Sequence, residues 1–224
     1  MPGWTERTQR HHRRPSPVGR LFAAYYDWAT AGMEARLFGP QRRRLLTAAR
    51  GRVLDIGAGT GANLPYFPWD AISELTLLDP SAGMLERAQR KAQALGVTLR
   101  VMEGRAERLP FEAEHFDTVV FTLSLCTVGD PAATLREAHR VLRPQGRLLV
   151  FEHVRAHDGG LATWQDRLTP LWKSINAGCH PNRDTRAAIE GAGFAFEWVE
   201  EYVERGIPLP IVQPQLIGCG RKAR

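Results

Sequence analysis

Three glycines at alternate positions, Gly57, Gly59 and Gly61, lie in the segment Asp55-Ile56-Gly57-Ala58-Gly59-Thr60-Gly61, straight after the apolar pair Val53-Leu54. That spacing suits a chain that turns sharply out of a strand and brings its backbone against a ligand. Gly57 allows the tight turn, Gly59 the close approach, and Gly61 the packing of a following helix on the strand. Asp79 ends the next apolar run, 18 residues beyond Gly61. A carboxylate there accepts hydrogen bonds from both hydroxyls of an adenosine ribose. The two features together describe a nucleoside cleft at the carboxyl ends of two strands.

The type of nucleoside follows from the charge beside the loop. Dinucleotide loops read G-x-G-x-x-G and aim helix amides at a pyrophosphate. Here the pattern is G-x-G-x-G, with Asp55 two residues before the first glycine. A carboxylate repels phosphate and suits an amine or a sulfonium, which points to S-adenosylmethionine as cofactor. Two alternatives come from other classes: an NAD(P)-dependent oxidoreductase of Rossmann type, and a non-catalytic module that keeps the S-adenosylmethionine cleft.

The elements that must hold these residues are legible as alternation. Helix-face spacing of Leu21, Phe22, Tyr25, Tyr26 and Ala29 predicts a helix from Val18 onward, and a second helix is expected over 40–49. Strands are expected at 52–57, 74–79, 98–103, 116–123 and 147–152, with helices over 81–95 and 131–142 between them. Strands separated by helices of 10–15 residues imply right-handed crossovers and a doubly wound, mostly parallel α/β sheet. Past Glu152 the rhythm breaks, and the stretch 154–180 holds Trp164 and Trp172 but few strand formers. A helix at 183–192 and strands at 194–203 and 215–220 complete the pattern. The organisation expected is a flexible basic arm over 1–17 and one domain over 18–224. Within it, 18–50 forms N-terminal helices, 51–153 the cofactor half, 154–214 a substrate-side insertion with the last helix and strand, and 215–224 the final strand and basic tail.

Composition narrows the partners. Lys and Arg number 30 against 24 Asp and Glu, a net charge of +6. Residues 1–20 carry +4 of it and the last four carry +3, so the body over 21–220 stands at −1. A polynucleotide groove needs its basic residues on the folded face, so no nucleic-acid partner is expected. The partner expected is a small molecule, with at most peripheral membrane contact through the basic ends; the sequence leaves the oligomeric state open. Cys126, Cys179 and Cys219 show no CxxC spacing, so neither a disulfide scaffold nor a structural metal is expected, and the compartment expected is cytoplasmic. No run approaches the ~18 apolar residues of a membrane span, and no apolar segment of a secretory signal follows the N-terminal charges.

The chain resembles the class I S-adenosylmethionine-dependent methyltransferases. VLDIGAGTGANLPYF is similar to their first motif, LTLLDPSAGML to the second, GRAERLPFEAEHFDTVV to the third and fourth, and REAHRVLRPQGRLLVFEHV to the helix and fifth strand that follow. The resemblance implies a Rossmann-like seven-stranded sheet with one antiparallel strand, placing 215–220 between the fifth and sixth strands. It also implies that Gly57, Ala58, Gly59 and Gly61 line the methionine end with Asp55 and Thr122 nearby. Asp79 would bind ribose, Pro80 and Met84 flank adenine, and Arg105, Ala106 and Glu107 run along the adenine edge. Many relatives carry Asp where this chain has Arg105. An arginine cannot accept from the adenine amino group, so that contact falls to Glu107 or to backbone. FTLSLCTV, EHV and the stretch from Trp172 to Cys179 are similar to the thiol S-methyltransferases of animal membranes. The opening AAYYDWATAGMEARLFGP is similar to bacterial phospholipid and quinone methyltransferases.

Methyl transfer from a sulfonium is an in-line displacement that needs a positioned acceptor in a dry site more than a dedicated nucleophile. His153, just beyond the fifth strand, is the candidate base. Tyr26, Cys126, Trp172 and Cys179 are candidates for the acceptor pocket, with Trp164 and the loop 207–211 as an apolar wall. The acceptors expected, in order, are a thiol, a phospholipid amine and a quinone carbon.

Overall fold

The computed structural model describes residues 16–223. The basic arm read over 1–17 therefore falls mostly outside the described residues. Its last two members, Ser16 and Pro17, begin the first helix: the Ser16 hydroxyl accepts the Gly19 N–H at 3.0 Å and Pro17 occupies the first helical position.

Seven strands form one sheet in the order β3-β2-β1-β4-β5-β7-β6. They are β1 (Gly51–Ile56), β2 (Ile72–Asp79), β3 (Arg100–Glu103), β4 (Phe116–Thr122), β5 (Leu142–His153), β6 (Phe194–Val203) and β7 (Pro214–Lys222). The first five pair in parallel, and β7 inserts antiparallel between β5 and β6, as the resemblance implied. The helices are α1 (Pro17–Met33), α2 (Gly39–Leu46), α3 (Ala82–Ala94), α4 (Pro131–Val141), α5 (Gly159–Ile175) and α6 (Thr185–Gly191). Side chains alternate across the strands and so bury both faces. Val53, Val120 and Leu149 pack with Leu45, Leu85 and Ala88 on one side, while Leu54, Val119 and Leu148 pack with Leu135, Val141 and Ile189 on the other. Asp130, Asp158 and Asp184 cap α4, α5 and α6 through their side chains, which fixes where each helix starts beside the sheet edge.

Two expectations need correction. No α-helix follows the glycine loop; the chain makes a short 3-10 turn at Leu64–Tyr66 and a second at Trp69–Ala71 before entering β2. Pro65 and Pro68 lack the N–H that a longer helix would need, so the segment stays tight. Gly61 consequently packs against Leu64 and against Ala88 of α3, each of which a Cβ would meet within 3.2 Å, and not against a helix of its own loop. Second, α1 exists as expected but buries another face: Leu21 and Tyr25 are exposed and Ala23 is its one buried residue. The helix continues through a π-helical turn, Glu34–Phe38, directly into α2. The stretch past Glu152 that holds few strand formers contains a 17-residue helix, α5, which runs on through Pro170.

Candidate active site

The carboxyl ends of β1, β2, β4 and β5 meet along one edge, where a doubly wound sheet places its ligands. The loop after β1 is drawn over β2: Gly57 and Ala58 both donate backbone N–H groups to the Leu78 carbonyl, at 2.7 and 3.1 Å. Gly57 has φ +69, and a Cβ there would sit 2.4 Å from the Ser124 side chain, so the turn closes only without one. Gly59 has φ +55 and nothing within 4 Å of where its Cβ would stand. The open space beside the half-buried Gly59 fits a ligand lying against the loop.

Asp79 is buried and ties the loop to β2. One carboxylate oxygen accepts the Gly59 N–H at 2.9 Å and the other accepts the Ser81 N–H at 2.8 Å. Burial raises its pKa, which those two bonds oppose. Each oxygen keeps a lone pair for a further donor, so the residues present fit a ribose diol.

Asp55, also buried, takes both hydrogen bonds from the Asn63 amide, at 2.9 and 3.0 Å. Desolvation pushes its pKa up to about 7, with the Asn63 bonds and the Arg42 charge pulling the other way. The Arg42 guanidinium donates to Asn63 Oδ1 at 2.7 Å and to Thr122 Oγ1 at 2.6 Å, and pairs with Glu34 at 2.9 Å. Sequence reasoning does not single out Arg42 or Asn63; Asn63 lies only eight residues past Asp55, whereas nothing local marks Arg42. Helix α1 is latched down by Asp27, which accepts from the Thr60 hydroxyl of the loop and pairs with Arg87 and Lys91 of α3.

The remaining cofactor candidates divide. Met84, Ala58 and Ala106 are buried around this edge, whereas Pro80 and Arg105 are exposed. Glu107 is half-buried, and its carboxylate accepts the N–H groups of Gly129 and Asp130 just ahead of α4.

At the ends of β4 and β5 the structure adds Glu152, which sequence reasoning missed. It is completely buried at the end of β5, and its carboxylate accepts the N–H groups of Ser124, Leu125 and Cys126 at 2.7–3.0 Å. Burial raises its pKa against those three bonds. Arg183 grips the same loop through the Leu125 and Val128 carbonyls. Cys126 is thereby set against Cys179, with sulfurs 3.5 Å apart, and His153 Nδ1 lies 4.0 and 3.7 Å from the two thiols. The shared hydrogen bond raises the Cys126 pKa and lowers that of Cys179, where His153 adds to the effect. Tyr26 reaches this group from α1, its pKa pushed up to about 12 by burial. Trp172 stands beside Cys179, and its buried indole N–H has no hydrogen-bond partner among the described residues. Of the expected wall, Trp164 points outward at 55% exposure beneath the Arg167 guanidinium, while Ile207 and Ile211 join the core.

Residues 54–150 match the profile of a methyltransferase domain family. The chain is 38% identical over 154 residues to the thiol S-methyltransferase TMT1B of Rattus norvegicus, covering 65% of this chain and 62% of that protein's length. It is 36% identical over 183 residues to the enzyme of the same name from Homo sapiens, covering 77% and 72%. Among solved structures, the YcgJ protein of Bacillus subtilis shares the fold with a TM-score of 0.62 at 22% identity, over 83% of this chain and 97% of that one.

Proposed function

The chain belongs to the class I S-adenosylmethionine-dependent methyltransferases, and from that premise we propose that it methylates a small lipophilic acceptor, a thiol before a phospholipid amine or a quinone carbon. When bound, S-adenosylmethionine supplies an electrophilic methyl group on a cationic sulfur, transferred in line to the acceptor while the bonding pair stays on the departing sulfur. Gly57, Ala58, Gly59 and Gly61 would hold the methionine end and Asp79 the ribose, with Met84 and Ala106 as the apolar surroundings of adenine. Asp55 would balance the positive charge through Asn63.

The observation that carries the cofactor assignment is the Gly59–Asp79 hydrogen bond, which joins loop and carboxylate into one cradle. The acceptor reading is supported by the cluster of buried soft groups at the end of β4 and β5, and by the activity for which the two TMT1B relatives are named, thiol S-methylation. His153 assists the loss of the acceptor's proton. A lipophilic acceptor also agrees with α1, whose Val18, Leu21, Tyr25 and Trp28 share one outward face, 61–78% exposed, fit for peripheral contact with a membrane surface. No helix among the described residues is long and apolar enough to cross a membrane.

A labelled-methyl assay over alkyl thiols, lipid amines and quinol precursors tests the proposal. Transfer to thiols in preference to the other two is expected. Transfer confined to amines or to quinol carbon overturns the thiol assignment, and S-adenosylhomocysteine binding with no turnover on any of them overturns catalysis.

A further inference from the structure

Cys126, His153 and Cys179 come from three separate segments, the loop after β4, the end of β5 and the turn after α5, and all three are buried. Their ligand atoms lie within 4.8 Å of one another, at 3.5 Å between the sulfurs and 3.7 and 4.0 Å from sulfur to Nδ1. A tetrahedral zinc ion holds thiolate sulfur at ~2.3 Å and imidazole nitrogen at ~2.0–2.1 Å, which puts the edges of its coordination polyhedron at about 3.8 Å for S···S and about 3.6 Å for S···N. The observed triangle matches those edges within a few tenths of an ångström.

The triangle is also fixed from behind. Glu152 holds the Cys126 backbone, the His180 N–H donates to the Cys126 carbonyl at 2.8 Å, and the Cys179 N–H donates to the Asn176 carbonyl at 2.9 Å. A soft donor set held in place before any ion arrives is what a metal site requires. Among the described residues no fourth His, Cys, Asp or Glu joins the group. Three protein ligands with one position free is the arrangement of a catalytic zinc, whereas structural zinc is closed by four.

We propose that Cys126, His153 and Cys179 bind a zinc ion whose fourth position takes the sulfur of the thiol acceptor, an inference that rests on the thiol reading above and gives it a chemical basis. Coordination lets the acceptor thiol lose its proton to solvent at neutral pH, because the cation stabilises the thiolate. The bound sulfur would keep lone pairs free for attack on the methyl carbon. A lipid amine has a single lone pair, which binding to zinc would use up, and a quinol carbon has none, so the site selects for sulfur. His153 then acts as a ligand and contributes to proton loss through the metal. The methylated product is a neutral thioether, a poor zinc ligand, and leaves.

The test uses the full chain, kept reduced, with metal content measured by mass spectrometry and cobalt(II) substituted for zinc. One zinc per chain is expected in the wild type, with thiolate-to-cobalt charge-transfer absorption in the substituted protein. Cys126→Ser and Cys179→Ser should each lose more than tenfold in metal affinity, while Cys219→Ser, on β7 and paired to Glu197, should keep it. Thermal stabilisation by S-adenosylhomocysteine in each variant checks that it folds. Adding an alkyl thiol should shift the visible cobalt bands. Metal-free wild type that methylates thiols at an undiminished rate overturns the zinc site and leaves the thiol reading standing. Stoichiometric zinc with thiol-insensitive cobalt bands overturns the acceptor's place at the metal. Zinc binding without methyl transfer to any thiol overturns the thiol reading instead.

Discussion

Gly59 donates its backbone N–H to the Asp79 carboxylate at 2.9 Å, so the loop of one strand and the acidic end of the next are a single unit. Asp79→Ala removes the ribose acceptor and also unties the loop. S-adenosylhomocysteine affinity measured by calorimetry should fall more than tenfold, because a donor left unpaired in a closed cleft costs about 1–3 kcal/mol. Wild-type affinity in that variant would contradict the assigned pocket.

Gly59→Val separates fold from binding. The new side chain enters open space, so the protein should fold with a loss of about 1–2 kcal/mol for left-handed backbone in a non-glycine residue. Cofactor binding should be lost, since the side chain fills the room the ligand needs. Circular dichroism melting with a binding titration reads both.

Asp55 gives the cleft a pH dependence. Its folded pKa of about 7 lies above its ordinary value, so between the ordinary aspartate range and pH 7 the folded state holds more protons than the unfolded state. Stability of the cofactor-free protein should therefore decline as pH rises through that window, and Asp55→Asn should flatten the decline. The sulfonium of S-adenosylmethionine favours the ionised carboxylate, so its affinity should rise with pH through 7. The neutral thioether of S-adenosylhomocysteine should respond less.

Glu152→Ala leaves three backbone N–H groups without an acceptor in a fully buried position. A loss of at least about 3 kcal/mol is expected from chemical denaturation. An unchanged midpoint would show that the loop after β4 is held without Glu152, by Arg183 and the His180 N–H.

Asp27 fastens α1 to the glycine loop and to α3. Asp27→Ala should speed amide hydrogen exchange in α1 and at Thr60, with a global stability loss of only about 1 kcal/mol because the carboxylate is partly exposed. Protection equal to wild type would mean that packing, not this contact, keeps the helix in place.

Much of this protein is local enough to read along the chain. The glycine spacing, Asp79, the capping Ser81 and the strand–helix rhythm each depend on residues within a few positions of one another, and period and cap chemistry are local properties. Three features are not legible there, for the same reason. The helix expected after Gly61 yields to two prolines and to packing against Ala88, a contact across 27 positions. The buried face of α1 escapes periodicity because α1 packs on α3, with Asp27 meeting Arg87 across 60 positions. Arg42 reaches Thr122 across 80 positions, and no spacing rule foretells that bond.

The cysteines make the division plain. Their sequence spacing argues against a metal, since Cys126 and Cys179 are separated by 53 residues and His153 lies between them. The sequence determined the glycine loop and Asp79, which end consecutive strands, and strands consecutive in sequence commonly lie side by side, as β1 and β2 do. Only the tertiary structure decided which side chains gather beyond them. Strand order placed the ends of β4 and β5 side by side, Glu152 set the loop after β4, and the turn after α5 brought the Cys179 sulfur to 3.5 Å from that of Cys126 and 3.7 Å from His153 Nδ1.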